Sequence, residues 1–338
     1  MKYPDLHRQH TVPASPTMVQ QVIILIPVFN DGNAVNGLLK KLATNLRPLT
    51  SYAFSVLVVD DGSTEPLTLY APSGLKTSVL RLVRNKKKKK AIAIGLSHIR
   101  EHYPAYKTLV MDGDGEDKAD DASRILELSS EHPEKIIFAR RNSRQEGRMF
   151  RLFYKVYKFL FRVLTGKQIT FGNFSLLPPE KLNQVVFYSE IWSHYAAGVM
   201  KTGLPYVQIS TSRGKRENGK SKMGFSRLIL HGLSAFTVYL DRIAYRFFMF
   251  SLLLILLALL MIGALLYVKF FTPYAIPGWS STILSSLLII LLQSFLISIL
   301  TLFFYLMFES QRKFIPARHY RDYTGNEEQV PTIDNQTN

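Results

Sequence analysis

The stretch FSVLVVDDGST, residues 54–64, decides the fold. An apolar, β-branched run that ends in two acids and then Gly-Ser-Thr reads as a strand buried on both faces and stopping at a turn. The same pattern recurs in QVIILIPVFN (residues 21–30), SVLRLVRN (78–85), YKTLVMDGDGED (106–117) and KIIFARR (135–141). Between these runs, NAVNGLLKKLATNL (33–46), AIAIGLSHIREHY (91–103) and DDASRILELSSEH (120–132) carry helical periodicity. Strands alternating with helices predict an α/β domain with a mostly parallel sheet and helices on both faces. Ligands in such folds bind beyond the carboxyl ends of the strands. Three of those ends carry PVFND, DDGS and DGDGED, so the acids gather where a ligand would sit.

The remainder of the 338 residues is basic and unevenly apolar. Lys and Arg number 42 against 25 Asp and Glu, a formal charge of +17, which suggests a polyanionic partner such as an anionic membrane surface or a phosphorylated ligand. Cysteine is absent, which excludes disulfides, thiolate metal sites and a Cys nucleophile. The first twenty residues have no apolar core of signal-peptide length, so the domain is expected to stay on the side where it is made.

Two charge-free stretches, Phe247–Val268 and Thr282–Phe308, are each long enough to cross a hydrocarbon core of about 30 Å. Arg213, Lys215, Arg216, Lys220, Lys222, Arg227, Arg242 and Arg246 precede the first, and Arg312, Lys313, Arg318 and Arg321 follow the second. The connector KFFTPYAIPGWSS has one Lys, so the positive-inside rule places the large domain and the tail in the cytoplasm. The chain is expected to be an integral protein of a plasma or bacterial inner membrane. Tyr274 and Trp279 suit an aromatic belt at the far interface, and TGNEEQVPTIDNQTN reads as a disordered tail.

Several chemistries use acids at strand ends. A dehydrogenase needs G-x-G-x-x-G at the first turn, and IPVFNDGN lacks it. A phosphatase with an Asp nucleophile usually follows its D-x-D with Thr or Val and an aliphatic residue, whereas Glu116 and Asp117 stand here. A calcium loop needs Gly at the sixth position and Glu at the twelfth; these are Asp117 and Ser123. A nucleotide-diphosphate sugar fits better. Its two phosphates are neutralised by one divalent cation on oxygen ligands, and a D-x-D turn aims two carboxylates into the crevice.

ILIPVFND (24–31), VVDDGST (58–64) and MDGDGED (111–117) resemble the family 2 glycosyltransferases with the GT-A fold over roughly residues 21–245. RRNSRQEGRMFRLFYKVYKFL (140–160), GNFSLLP (172–178) and NGKSKMGFSRLILHGLSAF (218–236) are similar to the membrane-bound synthases of polyprenyl- and dolichyl-phosphate sugars. That resemblance implies that Pro27, Phe29 and Asp31 line a base pocket and that Asp60, Asp61 and Asp112 serve base and ribose. It also implies that Asp114 and Glu116 hold Mg2+ or Mn2+, and that Arg140, Arg144, Arg213, Ser221 and Lys222 grip phosphates. The implied partners are a nucleotide-diphosphate sugar, a polyprenyl phosphate and the membrane, with no nucleic acid; a homo-oligomer is left open. The chain departs from the family at DGDGE, where DADLQ is familiar, at Asp117, and at EIWSHYAAGVM (190–200). It lacks the Q-x-x-R-W motif of processive synthases, which disfavours polymer secretion.

The expected organisation is a polar tail (1–20), a nucleotide-sugar half (21–145), an acceptor half with interfacial helices (146–245), two transmembrane helices (246–308) and a basic, then disordered, cytoplasmic tail (309–338). In RMFRLFYKVYKFLFRVL (148–164), Arg148, Arg151, Lys155, Lys158 and Arg162 form one stripe, and Met149, Leu152, Phe153, Val156, Phe159, Leu160 and Val163 fill the opposite side. That is the pattern of a helix lying in a membrane interface; a plain surface helix shares it. The run Lys86–Lys90 falls before the AIAIGL helix on the crevice rim, where it would attract an anionic donor or membrane surface. A lipid phosphate is already an anion near neutral pH and needs positioning, whereas a hydroxyl acceptor needs a general base. Glu190, with His194 one turn on if that stretch is helical, is the candidate base for the hydroxyl alternative.

Overall fold

The computed structural model describes residues 19–83, 88–104, 106–141, 148–212, 214, 225–273, 278–310 and 313–333. In chain order the elements are β1 (Gln20–Val28), α1 (Gly32–Leu46), β2 (Tyr52–Asp60), β3 (Ala71–Pro72), β4 (Lys76–Leu82), α2 (Lys88–His102), β5 (Lys107–Val110), α3 (Ala119–Glu131), β6 (Ile136–Arg141) and α4 (Arg148–Thr165). They continue with β7 (Ser175–Leu177), α5 (Pro179–Val185), α6 (Tyr195–Thr202), β8 (Tyr206–Thr211), α7 (Phe225–Val238), α8 (Leu240–Phe271), α9 (Trp279–Ser310), α10 (Pro316–His319), β9 (Thr324–Gln329) and β10 (Thr332–Ile333).

Eight strands form one sheet in the order β8-β6-β7-β5-β1-β2-β4-β9. The β4-β2-β1-β5 centre and the β6-β8 pair are parallel; β7 runs antiparallel between β5 and β6. This is the expected α/β sheet. Successive side chains of a strand point to opposite faces, and β1 feeds both layers. Val22, Ile24 and Ile26 pack with α1 and α3, while Ile23 and Leu25 pack with α2. Gly95 of α2 has no room for a side chain, since a Cβ there would lie 2.5 Å from Leu25 Cδ1 and 2.9 Å from Val59 Cγ2. The strand order reverses between β1 and β5, and a crevice opens at such a point.

The tail differs from expectation. Residues 324–329 are a strand, not a disordered segment: β9 pairs antiparallel with β4 at the sheet edge, with Leu80 opposite Glu327 and Ser78 opposite Gln329. Its acids are taken up by α2 and β4. His98 Nε2 lies 2.7 Å from Glu327 Oε2, Tyr103 donates its hydroxyl to Glu327 Oε1 at 2.7 Å, and Arg81 meets Glu328 at 3.2 Å. Tyr320, buried, and Arg321 both bind the carboxylate of Glu101. Burial alone raises the Glu327 carboxyl, but hydrogen bonds from His98, Ser78 and Tyr103 outweigh it and hold the group at about 2, below its ordinary 4.5. A depressed folded-state pKa contributes stability above the unfolded value and loses it as pH falls through the folded one. Glu327→Gln is therefore expected to lower stability at neutral pH and to flatten the acid limb between about 4.5 and about 2 in a pH series of thermal melts.

Helices α8 and α9 are each long and apolar enough to cross a membrane. Only 17% of the most apolar window of each is buried, whereas a core helix is covered on most sides. Leu260, Phe270, Phe271, Leu292 and Phe303 are all more than half exposed. The helices meet along a seam of mostly small residues at a spacing of seven, Ser251, Ala258 and Leu265 against Leu287 and Ser294, with Ser251 bonded to Ser298. Small residues let two helix backbones approach where apolar burial gives no preference. The chain leaves the domain through α7 and α8 and returns through α9 to β9 of the same sheet, so both ends of the hairpin lie at one domain.

Candidate active site

The site is built on the switch point between β1 and β5. β5 ends three residues short of β1, with Leu25 opposite Val110, and Met111 N donates to Leu25 O at 3.1 Å. Pro27 is the next residue of β1 whose backbone nitrogen faces that side. β5 has already stopped there, so the missing N–H costs the sheet nothing. Pro27 itself is buried, while Phe29, two residues on, is 43% exposed at the rim.

Asn30 clamps the first loop to the second. It is the one non-glycine residue with positive φ among the described residues, at 49°, a conformation Asn tolerates better than most residues. Its side chain accepts from Thr64 N at 2.8 Å and donates to Thr64 Oγ1 at 2.8 Å, and its backbone N donates to Ser63 Oγ at 3.0 Å. Ser63 in turn donates to Asp60 Oδ1 through its hydroxyl at 2.6 Å and its N–H at 3.0 Å. Asp60 thus fixes the loop through Oδ1, and Oδ2 carries no hydrogen bond among the described residues. Asp61 is buried, and Asp31 opens α1. Asp60 stands out in the sequence, whereas Asn30, which ties its loop to the end of β1, carries no such signal.

Asp112 to Asp117 form the acidic turn after β5. Asp117 is buried, and its Oδ2 accepts from Asp112 N at 2.9 Å. The departure from the family pattern at this position is therefore a structural brace. Asp114 Oδ1 accepts from Glu116 N at 3.1 Å, and Gly115 takes a φ of 78°. Asp112, Asp114 and Glu116 are half-buried. The chain after β8 lies across this turn: Gly214 N donates to Glu116 O at 2.9 Å, and Lys118 Nζ donates to Ser212 Oγ at 2.8 Å. A Cβ on Gly214 would lie 2.4 Å from Gly115 O, so glycine is required for that close approach. Arg140 sits exposed at the end of β6, opposite Ser210 of β8. Arg144, Arg213, Ser221 and Lys222 lie outside the described residues, as do Lys86 and Lys87.

The donor set bears on the metal. Among the described residues, no group of three or more His, Asp or Glu side chains is arranged to hold an ion. Two half-buried carboxylates in one turn instead fit a cation that takes one or two protein oxygens and completes its shell with substrate phosphates and water, the usual manner for Mg2+.

Glu190 and His194 are not a free pair on one helix. Glu190 lies in a 3-10 turn (Ser189–Trp192), takes a hydrogen bond from Ser189 and sits 3.2 Å from Lys201 Nζ, which also meets Asp241 at 3.2 Å. His194 caps α6, its Nδ1 accepting from Ala197 N at 3.2 Å. Burial pushes the Tyr195 phenol well up and the Tyr157 phenol to about 12, so neither is a base near neutral pH. The last lysine of the basic run, Lys90, lies in the first turn of α2 with Nζ 4.9 Å from the centre of the Trp192 ring.

Helix α4 divides its faces. Phe161 is buried and Tyr157 donates to Gly232 O at 3.2 Å, so these aromatics pack inward. Val156, Phe159, Leu160 and Val163 are between 45% and 66% exposed, a four-residue apolar strip open to the surroundings.

The sequence model described as Glycosyl transferase family 2 matches residues 23–189. No curated protein matches the chain. Among solved structures, mannosyl-3-phosphoglycerate synthase from Rubrobacter xylanophilus is 16% identical, covering 67% of this chain and 75% of its own, at a TM-score of 0.46. Glucosyl-3-phosphoglycerate synthase from Mycobacterium tuberculosis, in complex with Mn2+ and UDP-glucose, is 12% identical, covering 66% and 79%, at 0.45. TarS 1-349 from S. aureus is 15% identical, covering 57% and 59%, at 0.39.

Proposed function

Since residues 23–189 are a family 2 glycosyl transferase domain, we propose that this nucleotide-sugar-dependent glycosyltransferase moves one sugar from a UDP- or GDP-sugar to a polyprenyl phosphate. The reaction takes place at the cytoplasmic face of a plasma or bacterial inner membrane. The observation that carries the acceptor assignment is the engagement of the candidate bases. Glu190 is ion-paired with Lys201, and His194 caps α6 through its ring nitrogen. A hydroxyl acceptor needs a base to remove its proton; a lipid phosphate does not. The exposed apolar strip of α4 and the two long apolar helices support a lipid acceptor, because apolar surface of that kind would hold the domain at a bilayer.

In this reading Phe29 stacks on the base and the free oxygen of Asp60 takes base or ribose. Asp61 and Asp112 support that pocket, with Pro27 and Asp31 shaping its wall. Asp114 and Glu116 would hold Mg2+ or Mn2+, whose charge would offset that of the leaving diphosphate. Arg140, with Arg144, Arg213, Ser221 and Lys222, grips phosphate oxygens. A lipid phosphate oxygen bonds to the anomeric carbon from the face opposite the diphosphate as the carbon–oxygen bond to the nucleotide breaks, inverting the centre.

Nucleotide release by detergent-purified protein, with Mg2+ or Mn2+ and a panel of UDP- and GDP-sugars, tests this. Release is expected only when polyprenyl phosphate is present, with labelled sugar passing into the organic phase. Release that needs a hydroxyl lipid or glycan instead, and is lost in Glu190→Ala, would replace this acceptor with the hydroxyl one.

A further inference from the structure

A second, polar cleft lies at the membrane end of the domain, where α4 stops and α8 starts. It has a volume of about 520 Å³ and is lined by Thr165, Gly166, Asp241, Arg242, Tyr245 and Arg246. Arg246 donates to Val163 O and so covers the C-terminus of α4, where backbone carbonyls are unsatisfied. Gly166, at a φ of 72°, leaves room for that guanidinium: a Cβ there would lie 2.9 Å from Arg246 Nη2. The one carboxylate lining the cleft, Asp241, is held by Lys201 at 3.2 Å. Arg242 packs over Tyr239 at 5.7 Å, and no carboxylate pairs with Arg242 or Arg246 among the described residues. Arg162 and Lys167 are exposed beside the cleft.

The cleft sits at a defined depth if α8 crosses a membrane. Arg246 is the last charge before the charge-free run that begins at Phe247. Tyr245 is 65% exposed, Phe247 45% and Val163 48%, so apolar side chains flank the two arginines. We propose that this cleft binds the headgroup phosphate of an anionic bilayer phospholipid, with Arg242 and Arg246 on the phosphate and the exposed aromatics against its acyl chains. The proposal rests on the membrane reading above but not on the transferase reaction. The cleft lies at the far end of α4 from its start, about 27 Å along an 18-residue helix. Arg140, the one described residue of the proposed acceptor grip, precedes the start of α4 in the chain, so the cleft is proposed as a separate site.

Native mass spectrometry of the detergent-purified full chain tests it, with phosphatidylglycerol, phosphatidylcholine and farnesyl phosphate as probes. Wild type is expected to retain phosphatidylglycerol over phosphatidylcholine, and Arg242→Gln to weaken that retention roughly 5-fold with an unchanged thermal midpoint. Arg246→Gln is expected to weaken it similarly and also to lower the midpoint, because α4 loses its cap. Equal retention of the two phospholipids by wild type, or undiminished phosphatidylglycerol on both variants, overturns the proposal. Displacement of phosphatidylglycerol by farnesyl phosphate also overturns it, giving the cleft to the acceptor. Carbonate extraction of the chain from membranes is a different result: it removes the membrane reading itself.

Discussion

Asp114→Ala is expected to lower sugar transfer by about 10²–10³-fold while the domain stays folded. The reason is electrostatic. The leaving diphosphate develops charge as the glycosidic bond breaks, and the acidic turn offers a cation only the few half-buried carboxylates of residues 112–116. The alanine variant also loses the bond from Glu116 N to Asp114 Oδ1, worth about 1 kcal/mol. Asp114→Asn separates the two effects, since its amide oxygen still accepts from Glu116 N while the charge is gone. Both variants are expected to lose activity alike, and only alanine to lose stability. Asn retaining more than about a tenth of the wild-type rate would mean that Asp114 is a turn residue and not a cation ligand.

Removing residues 324–338 is expected to lower the thermal midpoint by about 5–20 °C, even though these residues follow the hairpin of long apolar helices and are polar. Without β9, the backbone of β4 becomes an unpaired sheet edge. The half-buried Tyr103 hydroxyl and the buried His98 ring lose their carboxylate partner, and a donor left unpaired costs about 1–3 kcal/mol where water does not replace that partner. Those two losses alone give about 2–6 kcal/mol, which is the source of the expected shift at a few degrees per kcal/mol. The truncated chain would also be more prone to edge-to-edge association, visible as a heavier species in size-exclusion chromatography. A midpoint within about 2 °C of wild type would show that the tail only rests on the sheet.

The place of Asp114 just beyond a strand end could be read from the sequence because its signal is local. A buried strand needs an apolar run, and a strand end in a parallel sheet faces the ligand crevice. The same reasoning located Asp60, Asp112 and Glu116, and the uninterrupted apolar lengths located α8 and α9.

Sequence by itself therefore determined the α/β sheet, the crevice acids and the two long apolar helices, each of which is encoded in a continuous segment of side chains. Tertiary structure alone decided the rest. TGNEEQ carries no apolar alternation, and it is a strand because β4 supplies its hydrogen bonds and α2 the partners of its Glu327. Asn30 and Asp117 look like ordinary loop polar residues until the loops they brace are brought together. Glu190 and His194 look like neighbours on one helix until the 3-10 turn places Glu190 against Lys201 and His194 caps α6. In each case the deciding partner is supplied by another element, or by chain that local periodicity does not connect, and so only the folded arrangement reveals it.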